Sequence, residues 1–256
     1  MKTRKLLISG GRVLTPDGVK TADVLVEDDR ITRVSSRLSS LGDAKVVDAT
    51  GHVVVPGLVQ ARTALAHTSL RGLARGLDRA AAQRERVWPA EAALSSRAVY
   101  ESTFEGALEL LRSGVTAVLD AGTARHADSM FEALEAVGLR ATVGRALLDR
   151  GQGLPAAVKE STEVALDGAR VLIERWHGAH HGLLRVALAP RGFTVCSPAL
   201  LERAAALAEA HGLVITVPYA ESQAEVEAAR EAFGGEPLGK LASPRLVVAH
   251  GTWLPS

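Results

Sequence analysis

Short runs of Val, Ile and Leu, separated by turn residues, fill the first 55 residues. The runs LLISGGRVLT, ADVLVEDDRITRVSS and KVVDATGHVVV are interrupted by GG, PDG and DD, which are combinations typical of tight turns. Apolar and polar positions alternate within residues 22–34, as they do in strands with one face in water. The pattern predicts a small β-unit over residues 1–55.

From residue 56 to residue 256 the pattern changes to helices that alternate with apolar strands. Helices are predicted over residues 95–112, 128–137, 155–176, 198–211 and 225–233, with Ser95 as the N-cap of the first. A helix, a glycine and a strand follow one another at Gly114, Gly138 and Gly212. Six continuously apolar strands between helices are typical of a parallel sheet buried on both faces. The predicted fold class is therefore α/β.

The first of these strands is expected to join the two parts of the chain. Residues 53–65, VVVPGLVQARTAL, are predicted to form one buried strand through Pro56 and Gly57. Arg62 and Ala64 are two positions apart, so their side chains would share one face of that strand.

Composition excludes several classes of partner. The chain has 256 residues with 47% hydrophobic side chains, a net charge of +1 and one cysteine. Because no basic stretch follows one face, nucleic acid and acidic membranes are not expected partners. No apolar run reaches the ~20 residues that span a bilayer. The basic start of residues 1–5 precedes an apolar run too short for a secretory signal, so we expect a soluble cytoplasmic protein.

Several sequence motifs, in order, resemble one enzyme family. VVDATGHVVVPGLV, SLRGLARGLD, VWPAEAALS, LRSGVTAVLDAGT, LAPRGFTVCSPALLERAAALAEAHG and AHGTWL are similar to the amidohydrolase superfamily, in the branch of triazine hydrolases and S-adenosylhomocysteine or methylthioadenosine deaminases. The resemblance covers essentially the whole chain. It implies a TIM-like (β/α) barrel with the active site at the carboxyl ends of the strands. It also implies hydrolysis of C–N or C–Cl bonds of heterocycles by hydroxide bound to zinc or iron.

The metal ligands that the resemblance implies are replaced in this sequence. The two histidines of the first strand correspond to Arg62 and Ala64, and a third metal histidine corresponds to Pro218. Arginine has no lone pair to offer a metal, and alanine and proline have no side-chain donor. The family's last ligand, an aspartate of strand eight, falls beyond residue 256. We therefore expect no bound metal and no metal-dependent catalysis.

Other positions of the implied site keep polar residues. Glu221 corresponds to the proton-shuttle glutamate and His250 to the histidine of strand six, so both are vestigial catalytic positions. A histidine on the substrate side corresponds to Arg191. Arg62 is predicted to enter the metal cavity and pair with Glu221, because an unneutralised buried carboxylate is costly. Arg191 would add positive charge, which suggests a small-molecule or anion ligand.

Further histidines and acids are predicted to have structural roles. His67 is expected to be an ordinary loop side chain. The histidines of WHGAHHG, His177, His180 and His181, would complement a helix dipole. Asp120 and Asp149 are expected to be strand-end carboxylates.

Six βα units leave a barrel open, with two strand edges that need a cover. A homo-oligomer or another partner could supply it. Three interpretations remain open: a non-catalytic relative that binds a ligand or partner, a gene remnant without a role of its own, and a hydrolase completed by a rearranged site or a partner. The residues that would identify a substrate are altered.

Overall fold

The computed structural model describes residues 4–38, 42–151, 153–241 and 243–254. Residues 1–3, where the basic start begins, lie outside the described residues. The chain divides into two compact units, Met1–Gly57 and Leu58–Ser256, a boundary two residues after the predicted one. In the described residues, no helix combines the length and the apolarity needed to cross a membrane.

The first unit is a five-stranded β-sheet. Its strands run in the spatial order β3-β2-β1-β4, and β5 also pairs with β1. The first three strands are antiparallel neighbours, whereas β4 and β5 run parallel to β1. The strands are β1 (Lys5–Thr15), β2 (Gly18–Glu27), β3 (Arg30–Ser35), β4 (Lys45–Asp48) and β5 (Val53–Val54).

The second unit contains six parallel strands in sequential order, β6 to β11. They are β6 (Leu58–Thr63), β7 (Val115–Thr123), β8 (Arg140–Leu147), β9 (Leu184–Pro190), β10 (Val214–Tyr219) and β11 (Leu246–His250). The helices are α1 (Arg79–Ala82), α2 (Trp88–Ala93), α3 (Ser96–Arg112), α4 (Ala127–Val137), α5 (Thr162–Trp176), α6 (Ala179–Gly182), α7 (Pro198–His211) and α8 (Gln223–Phe233). A 3₁₀-helix (Leu65–Leu70) and a π-helical turn (Gln83–Val87) precede α2. This arrangement confirms the predicted α/β class with six barrel-type βα units.

The prediction of one buried strand over residues 53–65 was wrong. Val53–Val54 forms β5 in the first unit, and β6 begins only at Leu58 in the second unit. The strand is also not buried at its start, since 69% of Val59 is exposed. The reason is that β6 pairs only with β7 among the described strands and so forms an edge of the sheet.

Serine caps fix the starts of four barrel helices in the described residues, including α8 with Ser222 as its cap. The side chains of Ser95, Ser161 and Ser197 each accept a hydrogen bond from a backbone N–H in the first turn of α3, α5 and α7, as N-caps do. The predicted starts of α3 and α7 are thereby confirmed. The predicted helix over residues 155–176 begins later, at Thr162, because Ser161 is its cap.

Strands β7 and β8 approach each other closely at Gly122. This residue has a φ of +68°, and a Cβ built on it would lie 1.5 Å from the carbonyl oxygen of Gly144. The pairing register of the two strands shifts between Asp120 and Thr123. Only glycine satisfies both the backbone angle and the space.

We predict that Gly122→Ala destabilises the protein by about 3 kcal/mol or more, because β7 and β8 would have to separate. Gly138→Ala is the matched control, since Gly138 also has a positive φ (+76°) but has no atom within 4 Å of a built Cβ. The control should cost only about 1–2 kcal/mol of backbone strain. Urea unfolding of both variants measures the difference, and equal losses would contradict the close approach.

Candidate functional site

A cavity of about 640 Å³ opens at the carboxyl ends of the barrel strands. We call it the mouth cavity. Every strand except β8 contributes the last residues of the strand or those that follow it directly, and the segment before α2 closes one side. Its lining includes Arg62, Ala64, His67, Arg84, Arg191, Pro218, Glu221, Glu225 and His250. A cavity of this size accommodates a small organic ligand.

The carboxylate of Glu91, on α2, lies directly behind the cavity wall. Its side chain is 3% exposed. Oε1 accepts hydrogen bonds from the Thr123 hydroxyl at 2.9 Å and the Ala124 N–H at 3.0 Å. Oε1 also accepts one from Nη2 of Arg191 at 2.9 Å, and Nε2 of His67 lies 3.2 Å from Oε2. Through these contacts, Glu91 on α2 connects the 3₁₀-helix that contains His67 with the ends of β7 and β9.

The neighbours of Glu91 keep it ionised. Burial alone would raise the pKa of this carboxyl group, but the Arg191 guanidinium and then His67 outweigh burial and hold the pKa far below its ordinary value. The same Nη2 of Arg191 also donates to the Gly122 carbonyl at 2.9 Å. The charge of Arg191 is thus paired with that of Glu91 at 2.9 Å.

Glu221 and His250 also lie together at the wall of the mouth cavity. Nε2 of His250 is 3.6 Å from Oε2 of Glu221, and the Glu221 N–H donates to Oε2 of Glu225 at 2.9 Å. The residue before Glu221, Ala220, and His250 itself both have positive φ angles, 60° and 75°. Such angles are costly for residues other than glycine and concentrate at functional sites.

Arg62 and Glu221 line the same cavity, as the sequence suggested. Burial raises the pKa of Asp120, and the positive charge of nearby Arg62 opposes that rise only in small part. The direct pairing of Arg62 with Glu221 stays a prediction.

His67 is not an ordinary loop side chain, contrary to our expectation. It lies on the 3₁₀-helix after β6, lines the mouth cavity and contacts Glu91. Spacing along the sequence could not show this, because the partner is on a different helix.

Asp120 and Asp149 have structural roles, in agreement with the sequence analysis. Asp120 is fully buried and accepts the N–H groups of Leu65 and Gly122, while burial raises its pKa. Asp149 accepts bonds from the N–H and hydroxyl of Ser197 and from the Thr162 hydroxyl. Both carboxylates therefore connect neighbouring segments to the strand ends through hydrogen bonds.

The WHGAHHG histidines lie at the other end of β9. Nδ1 of His177 accepts the N–H of Val186, and Nε2 of His180 lies 3.2 Å from Glu135. The single cysteine, Cys196, is fully buried, and burial raises its pKa to about 12. A thiol with such a pKa is a poor nucleophile.

The residues of the mouth cavity do not fit the metal centre that the resemblance implies. Zinc requires imidazole, thiolate or carboxylate ligands, whereas Arg62, Ala64 and Pro218 stand at the implied histidine positions and line the cavity. Among the described residues, no group of three His, Cys, Asp or Glu side chains is arranged to hold a metal ion.

The chain is similar in sequence to known proteins. The sequence model of the amidohydrolase family matches its residues 53–256. The chain is 35% identical to the 5′-deoxyadenosine deaminase of Methanothermobacter thermautotrophicus, over 99% of this chain and 59% of that protein. It is 33% identical to the 5-methylthioadenosine/S-adenosylhomocysteine deaminase of Thermococcus kodakarensis, over 98% of this chain and 59% of that protein. The chain belongs to the amidohydrolase family.

Solved structures of this family share the fold. The atrazine chlorohydrolase of Arthrobacter aurescens TC1, complexed with zinc, aligns with a TM-score of 0.85 and 23% identity, over 96% of this chain and 60% of that one. An adenosine deaminase from Xanthomonas campestris with bound zinc aligns with a TM-score of 0.81 and 26% identity, over 98% of this chain and 58% of that one. The chain therefore spans about three fifths of the length of these amidohydrolases.

Glu91 was missed in the sequence analysis. The signal was present, because an acid stands within the apolar stretch VWPAEAALS, where a buried carboxylate needs partners. Its partners Thr123 and Arg191 are distant in sequence, so only the fold identifies them.

We predict that Glu91→Gln lowers the free energy of unfolding by about 2–4 kcal/mol at pH 7, since it removes a charged acceptor from a buried arginine. The control is Glu109→Gln, which breaks the exposed pair of Arg71 and Glu109 and should change stability far less than Glu91→Gln does. Urea unfolding at pH 7 measures both.

The effect should also depend on pH. Because the pKa of Glu91 is lowered by folding, its ionised form adds stability above the unfolded pKa of about 4.5, and that stability is lost as the pH falls below this value. The gap between wild type and Glu91→Gln should therefore narrow from pH 7 to pH 3. A gap that stays constant would show that Glu91 is not ionised in the folded chain.

Proposed function

We propose that this amidohydrolase-family chain binds a small molecule in the mouth cavity without metal-dependent hydrolysis. The observation that carries the proposal is the residue set at the cavity. Arg62, Ala64 and Pro218 replace the donors that a metal-bound hydroxide needs, and Arg62 brings a permanent positive charge to the same wall. A dication next to a guanidinium would be repelled.

The size and position of the cavity support ligand binding. It lies at the carboxyl ends of the strands, where (β/α) barrels bind their ligands. The two deaminases described above are named for 5′-deoxyadenosine and for 5-methylthioadenosine/S-adenosylhomocysteine. Adenine nucleosides are therefore the first class of neutral ligands to test.

A residual hydrolase is the second candidate function. The contact between Glu221 and His250 supports it, because both groups face the cavity and could assist proton transfer. General acid–base assistance alone contributes only about 10²–10⁴-fold, so the expected rate without a metal is low.

We predict that the chain contains less than about a tenth of an equivalent of zinc or iron after expression in metal-supplemented medium. We also predict no release of ammonia from 5′-deoxyadenosine or methylthioadenosine. Plasma emission spectrometry and a coupled ammonia assay measure the two quantities.

The matched control for this prediction is the triple variant R62H/A64H/P218H. It places three imidazoles at the wall of the cavity and should raise the zinc content toward one equivalent, because three protein ligands form a stable zinc site. Stoichiometric metal together with ammonia release by the wild-type chain would overturn the proposed function.

A further inference from the structure

Arg191 has hydrogen-bond donors that the protein does not use. A guanidinium has five N–H donors, and Nη2 uses two of them on Oε1 of Glu91 and the carbonyl of Gly122. The other N–H groups, on Nε and Nη1, donate to no residue in the part of the chain that the structure describes. The side chain is only 13% exposed and lines the mouth cavity, so these donors need an acceptor from a ligand or from water.

The acid that contacts Arg191 and the acids that line the cavity each have neighbours within the protein. Glu91 accepts three hydrogen bonds and contacts His67. Glu225 accepts the backbone N–H of Glu221, and Glu221 lies beside His250. The acceptors that contact Arg191, on Glu91 and Gly122, are therefore both engaged by Nη2, and a ligand that supplies acceptor oxygens complements the remaining donors of Arg191.

We propose that the mouth cavity binds a small organic anion, with an oxygen of its carboxylate or phosphate group on the free N–H donors of Arg191. Glu91 is the positioning residue that fixes the guanidinium. This inference rests on the proposed ligand-binding function and names its ligand class.

Burial distinguishes Arg191 from Arg84, another arginine that lines the mouth cavity. Arg84 is 52% exposed and pairs with Glu85 at the surface, with 3.1 Å between Nη2 and Oε1. Water and salt screen such a charge. A hydrogen bond from a charged donor is stronger where water is excluded. Arg191 also needs no rearrangement on binding, since Glu91 and the carbonyl of Gly122 already hold its plane.

Isothermal titration calorimetry with benzoate and benzamide tests the anion class. The two compounds match in size and differ in charge. We expect benzoate to bind at least about tenfold more tightly than benzamide, a difference of about 1.4 kcal/mol. Inorganic phosphate is the third probe, and tighter binding of phosphate than of benzoate would assign the phosphate class. Equal binding of benzoate and benzamide, or no binding of benzoate and phosphate at about 10 mM, would overturn the proposal.

Arg191→Lys tests the residue. Lysine keeps the charge beside Glu91 but lacks the planar set of donors, so benzoate affinity should fall at least about tenfold. The matched control Arg84→Lys should stay within about twofold of wild type. A folded Arg191→Lys variant with unchanged affinity would overturn the assignment.

A second variant applies if Arg191→Lys does not fold. The double variant E91Q/R191Q removes both charges together, so neither is left buried alone, and it should lose the preference for benzoate over benzamide. Retention of that preference would overturn the proposal. Neither experiment depends on the metal and ammonia measurements: ammonia release would overturn the proposed function alone, and the absence of anion selectivity would overturn this inference alone.

Discussion

The carboxylate of Glu91 is ionised although it is buried away from water, and its partners come from several elements at the mouth of the barrel. An isolated buried charge would cost several kcal/mol. Arg191 supplies the opposite charge at 2.9 Å, and Thr123 and Ala124 supply two further donors. Because these partners come from β7 and β9, the acid ties α2 to two strands and sets the wall of the cavity.

The side chains of this cavity also differ from those of a zinc site. Zinc sites need several ligands with lone pairs on one wall, whereas the walls here contain Arg62 and Arg191, which only donate. The chain shares the amidohydrolase fold, and Arg62 and Arg191 line the cavity at its mouth.

Local signals in the sequence predicted most of the fold. The serine caps at Ser95 and Ser197 marked two helix starts, and the glycines between helices and strands located the parallel strands. The break between β5 and β6 was not predicted, because Val53–Val54 pairs with β1 rather than continuing into the barrel. The Glu91–Arg191 pair was not predicted either, since its partners are 100 residues apart and hydrophobic periodicity carries no information about such contacts.

A double-mutant cycle with Glu91→Gln, Arg191→Gln and the combination tests the central claim most directly. The free energies of unfolding in urea at pH 7 give the coupling between the two side chains. A buried, charge-assisted pair predicts a coupling energy of about 2–3 kcal/mol, with the double variant more stable than the sum of the single losses implies. A coupling energy below about 0.5 kcal/mol, the limit for independent sites, would contradict the account.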